Sequence, residues 1–124
     1  MKIQEYNLRI TEKQSELIMS ALDLYTRLSA GQLNELKKIG SHEPSEFTLT
    51  KLQKSMFPKL DGLNHSYGIH SKELPDKIRE AYDIFKVMMH EFNKDEGIMN
   101  VYSSKVRQTS KKLLPLFEKQ EVGK

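Results

Sequence analysis

The side chains best suited to chemistry stand within residues 62–92. The stretch GLNHSYGIHS (residues 62–71) supplies Asn64, His65, Ser66, Tyr67 and His70, and the segment after it carries Arg79, Tyr82, Asp83 and His90. An arginine offers a planar fork of N–H donors to a carboxylate or phosphate. Tyr67 and Tyr82 could stack on a base. Together these residues fit an anionic or nucleotide-like ligand. A second polar cluster comes earlier, at Tyr25, Arg27, Gly31 and Gln32. On a helix turning 100° per residue, Arg27 falls about 160° from Tyr25. The two cannot easily face one pocket of the same subunit, so Arg27 is also a candidate for a subunit contact.

Catalytic readings are weaker. Asp83 and His90 are seven residues apart and share a helical face, so acid–base work is conceivable. A solvated polar stripe explains the same spacing better when the helix is read alone. The chain has no HExxH, no GxSxG turn, no Walker loop and no GxGxxG. The four histidines, His42, His65, His70 and His90, do not show zinc-ligand spacing. No cofactor, no metal and no catalytic residue is therefore assigned. The expected ligand-binding set is Ser66, Tyr67, Arg79, Tyr82, Asp83, His90, His65, Tyr25 and Arg27.

These residues need elements to hold them. Thr11 opens T-E-K-Q, a capping-box spacing in which Thr11 and Gln14 satisfy each other's end of a first turn. A long helix is expected from there over residues 12–38. Its apolar face is Leu17, Ile18, Ala21, Leu22, Tyr25, Leu28 and Leu36. Gly31 interrupts it, which calls for either a close neighbour or a bend. A shorter helix is expected over residues 48–56, limited by Pro58. Pro75 is placed at the first position of a second long helix, where its missing N–H is harmless. Ile78, Ala81, Tyr82, Phe85, Met88, Met89 and Phe92 form the stripe of that helix. Partial alternation over residues 3–10 predicts a short strand, and residues 98–106 read as a second strand or extended segment. The fold class is mainly α: two long amphipathic helices and a shorter one, with short strands or extended segments near the two ends. Residues 1–110 form one compact domain, and residues 111–124 a basic tail.

Composition sets the outer bounds. The 124 residues suffice for one domain. Cysteine is absent, which removes disulfides, thiolate metal sites and cysteine nucleophiles. No run approaches the roughly 18 apolar residues of a membrane span. The opening MKIQEYNLRI lacks the apolar core of a signal peptide, so a cytoplasmic location is the expectation. The net charge is +3, yet residues 101–124 carry a net +4. The body is thus slightly acidic, which disfavours nucleic acid as a partner. The basic tail reads as a solvated end. Within it, Leu113, Leu114, Leu116 and Phe117 surround Pro115 in a patch that could dock on the body or on a partner.

Several of these segments resemble a family of small, mostly uncharacterised proteins of tailed phages and prophages. The run LDLYTR (residues 22–27) followed by Gly31-Gln32, the loop Ser66-Tyr67-Gly68-Ile69, and Arg79-Glu80-Ala81-Tyr82-Asp83 ending at His90 are the elements that carry the resemblance. Thr26 stands where the family has serine, and the Pro-containing basic tail departs from its pattern. The resemblance implies a protein made in a bacterial host cytoplasm. It implies a binder, a homo-oligomer that could sequester a nucleotide-like signalling molecule and so counter host defence. The alternative is a protein-interaction module that inhibits or redirects a host protein.

Overall fold

A computed structural model describes residues 4–93, 109–110 and 114–120. Its elements in chain order are α1 (Glu12–Ser29), a 3-10 helix (Leu33–Lys38), α2 (Glu46–Met56) and α3 (Asp76–Asn93). The protein is mainly helical. No strand occurs among the described residues, and the run over residues 4–10 has no regular structure. The segment expected to be extended over residues 98–106 lies outside the described residues.

The local signals act as their chemistry requires. The backbone N–H of Gln14 donates to Thr11 Oγ1 at 3.1 Å, and the Thr11 N–H donates to Gln14 Oε1 at 2.8 Å. The capping box is therefore complete. Ser45 caps α2 by accepting from the Thr48 N–H at 3.1 Å. That cap starts α2 two residues before the expected position. Pro75 precedes the first helical residue of α3, and its carbonyl accepts from the Ile78 N–H at 3.0 Å.

The first long helix is shorter than periodicity predicts. It ends at Ser29, and a separate 3-10 helix takes up residues 33–38. The cause is Gly31, which is buried and adopts φ 95°. An L side chain rarely takes that conformation. A Cβ there would also overlap the Leu60 side chain. The chain bends at Gly31, and a neighbour packs closely against it.

The two long helices pack against each other. The face α1 turns inward is only partly the one its apolar residues mark: Ile18, Leu22 and Leu28 are half-buried. Its buried residues are Ser15 and Thr26. Leu17 is 72 % exposed and Tyr25 44 % exposed, and Ala21 is exposed too. The hydroxyls of Ser15 and Thr26 donate to the carbonyls of Thr11 (3.0 Å) and Leu22 (2.9 Å), one turn back on the same helix. Satisfied in this way, they cost little to bury, and their small size lets another element approach. On α3 the buried residues include Ile78, Ala81 and Met88, as the sequence stripe predicts. Ala30, Leu74 and Ile78 form the packed centre, with Tyr67 laid against it.

α2 packs on the 3-10 helix, and each contributes a fully buried leucine, Leu49 and Leu33. Gln53 of α2 is 1 % exposed. Its amide nitrogen donates to the Gly62 carbonyl at 2.7 Å, and its oxygen accepts from the Gly62 N–H at 3.2 Å. One side chain thereby fastens the start of the long loop to α2.

Candidate functional site

The loop between α2 and α3 is held at several points. The Tyr67 N–H donates to the Ala30 carbonyl at 2.8 Å, joining the loop to the end of α1. The rings of Phe57 and Tyr67 lie 6.4 Å apart and tilted by 59°. On its outer side Lys59 Nζ donates to Glu73 Oε1 at 2.7 Å.

Arg79 makes the largest contribution. Its Nη1 donates to the carbonyls of Ile69 (3.1 Å) and Ser71 (3.2 Å). Its Nη2 donates to the Leu74 carbonyl at 2.9 Å, and its Nε donates to Asp76 Oδ1 at 3.1 Å. The guanidinium fork is spent on shaping the backbone of residues 69–74. In this arrangement it does not serve as an anion clamp.

Asp83 is likewise engaged. Its Oδ1 accepts from the N–H and hydroxyl of Thr109, at 2.9 and 2.7 Å. Its Oδ2 accepts from the N–H and hydroxyl of Ser110, both at 2.8 Å. Burial pushes the carboxyl up. The donors on Thr109 and Ser110 outweigh that and hold it below the usual carboxylate range. Asp83 is an ionised anchor for the C-terminal part of the chain. Further along α3, Glu91 Oε2 accepts from the Lys119 N–H at 2.8 Å, and Phe117 stacks on Phe92 with centroids 6.3 Å apart. Residues 114–117, the described part of the leucine-rich patch, thus lie on the body at Phe117, while Leu116 is 85 % exposed.

Where the loop meets α1 there is a cavity of about 320 Å³. It is lined by Asp23, Thr26, Arg27, Ala30, Gln32, Ser66, Tyr67, Gly68, Ile69, Leu74 and Tyr82. Four expected residues meet here: Ser66, Tyr67, Tyr82 and Arg27. Arg79, Asp83, His90, His65 and Tyr25 are not among the lining. Arg27 faces the cavity while Tyr25 stands elsewhere on α1, as their angular separation requires. His65 is exposed, and its backbone N–H donates to the Gly62 carbonyl at 3.1 Å. His90 is half-buried near the end of α3.

The lining carries two charged groups, and they neutralise each other. Arg27 Nε donates to Asp23 Oδ1 at 3.0 Å and to Oδ2 at 3.1 Å. Arg27 Nη1 donates to Gln32 Oε1 at 3.3 Å. The amide N–H groups of Gln32 and the hydroxyl of Ser66 remain as hydrogen-bonding groups for a guest. Tyr67, Tyr82, Ile69, Leu74 and Ala30 make the rest of the wall largely apolar and aromatic. Lys86 Nζ stands 5.4 Å from the Tyr82 ring centroid, which adds a cation–π contact on that ring. An uncharged ring with polar edges suits this mixture better than a bare anion, which would have to displace Asp23 from Arg27.

Asp23 and Thr26 were not singled out as site residues by sequence reasoning, although both lie inside the LDLYTR run. The usable signal was their place one helical turn apart from Arg27 and Ala30. Among the described residues, no three His, Asp or Glu side chains cluster as metal ligands would. No protein-family model matches the chain, and no curated protein or solved structure shows significant similarity to it.

Proposed function

We propose that this chain is a non-enzymatic binding protein whose cavity between α1 and the 62–71 loop takes the base of a nucleotide-like small molecule. The observation that carries this is the lining itself. Two tyrosines and a paired Asp23–Arg27–Gln32 array border a space of about 320 Å³, at the lower end of the volumes that hold small ligands. Binding without turnover fits the engagement of Asp83 with Thr109 and Ser110, which removes the acid–base partner His90 would need. In the phage setting the sequence resemblance implies, holding such a molecule would deprive a host defence pathway of its signal.

Isothermal titration with cyclic and linear nucleotides tests the proposal. At least one nucleotide should bind, and Tyr82→Ala should weaken it about tenfold or more through lost stacking. Arg27→Ala should weaken it as well, with only a small change in unfolding temperature, because its ion pair with Asp23 is partly solvent-exposed. Folded protein that binds nothing across the panel rules the proposal out.

A second reading, a protein-interaction module aimed at a host protein, is favoured by Leu116. A large apolar side chain stands 85 % exposed beside a Phe117 that is packed on the body. Under this reading Leu116→Asp abolishes a specific host-protein contact in a pull-down. Undiminished capture by that variant removes the patch from consideration.

A further inference from the structure

α1 carries a second apolar stripe on the side away from its buried residues. Leu17, Ala21, Leu24 and Leu28 follow a four-three-four spacing, the spacing of a coiled-coil seam. At 100° per residue the four fall within an arc of about 60°. Ser15 and Thr26, the buried residues of α1, lie about 150–170° from the centre of that arc. Leu17 and Ala21 are exposed, and Leu24 and Leu28 are half-buried. Among the described residues, core packing leaves Leu17 and Ala21 uncovered and Leu24 and Leu28 only partly covered, and Tyr25 flanks the seam.

We infer that this seam is the interface of a two-fold homodimer in which α1 pairs with α1 of a second copy, antiparallel. The seam is self-complementary in that arrangement. With the two-fold axis midway between Ala21 and Leu24, Leu17 meets Leu28 of the second copy, and the small Ala21 meets Leu24 of the second copy. The charges agree. Glu16 and Arg27 lie on the same flank of the seam, near its opposite ends. Antiparallel pairing brings Arg27 to within about two residues, or ~3 Å along the axis, of Glu16 of the second copy. Parallel pairing would carry this flank of each copy to opposite sides of the seam and set Glu16 and Arg27 against the flank of Ile18 and Tyr25, with no such ion pair. Arg27 also lines the cavity, so the interface runs along one cavity wall. The dimer does not depend on what the cavity binds.

Sedimentation equilibrium of the full chain, with no ligand added, is the test. The expected mass at high micromolar concentration is twice the 14.5 kDa of one chain. Leu17→Glu should raise the dimer dissociation constant about a hundredfold or more, because each dimer buries two such carboxylates. It should leave the far-ultraviolet circular dichroism unchanged, because Leu17 is outside the core. Glu16→Arg and Arg27→Glu should each weaken the dimer, and the double variant should recover it. Because the chain has no cysteine, crosslinking gives a clean second readout. Leu17→Cys with Leu28→Cys should oxidise to a covalent dimer, and Leu17→Cys alone should not. A monomer at every concentration, a dimer indifferent to Leu17→Glu, or a covalent dimer from Leu17→Cys alone would each overturn the inference.

Discussion

Replacing Asp83 by alanine is expected to destabilise the protein by about 3 kcal/mol, the largest single effect anticipated here. Asp83 is 1 % exposed and accepts four hydrogen bonds, two from backbone N–H groups and two from hydroxyls. Its loss leaves the buried Ser110 N–H and the Thr109 N–H without that acceptor. Hydrogen bonds to a charged acceptor are worth more than neutral ones, and orphaned buried donors carry a desolvation cost of about 1–3 kcal/mol. Urea unfolding measures the total. Amide exchange at Thr109 and Ser110 locates it, since those two N–H groups should lose protection first. A loss below about 1 kcal/mol would show that the C-terminal segment is not clamped as described.

The same carboxylate gives a pH dependence with a definite sign. Its folded pKa is lowered, so the unfolded chain binds the proton more readily. The stabilisation is complete at neutral pH. It begins to fall as pH drops into the ordinary aspartate range, and it is lost once pH passes below the lowered folded value. Asp83→Ala should therefore flatten the acid side of the stability profile relative to the parent chain.

Arg79→Ala is expected to cost about 2–3 kcal/mol, through the carbonyls of Ile69, Ser71 and Leu74 that lose their donor. Arg79→Lys should recover only part of that, because an ammonium cannot reproduce a fork spanning three carbonyls. The cavity wall includes Ile69 and Leu74, so ligand affinity should fall together with stability. Protection of the Tyr67 amide, which donates to Ala30, should fall as well. A variant that keeps full stability but loses the ligand would reassign Arg79 from shaping the loop to touching the guest.

The legible part of this chain was its local chemistry. Thr11 with Gln14, Pro58 and Pro75 all act on residues within four positions of themselves, so those boundaries could be read directly. Gly31, by contrast, marked an interruption in a helix expected to continue to residue 38, and its close neighbour Leu60 is distant in sequence. The α3 stripe was legible because large side chains mark its buried face. The α1 face was legible only in part. Of the apolar residues its periodicity counts, Leu17, Ala21 and Tyr25 are exposed and Ile18, Leu22 and Leu28 half-buried, whereas the buried residues are Ser15 and Thr26, whose hydroxyls are satisfied by their own helix. Side-chain size and polarity do not record that internal bond.

The site divides along the same line. Sequence by itself determined a loop and a helix rich in ligand-type residues, a second polar cluster on α1, and a mainly helical frame for both. Only the tertiary structure decided which of those residues face a common space. It set Ser66, Tyr67, Tyr82 and Arg27 around one cavity. It turned Arg79 to the carbonyls of a loop five to ten residues away, and Asp83 to donors 26 and 27 residues away. The physical reason is range. Helix formation is governed by neighbours within a turn, while the partner of a long polar side chain is whichever donor or acceptor the packed chain brings near it.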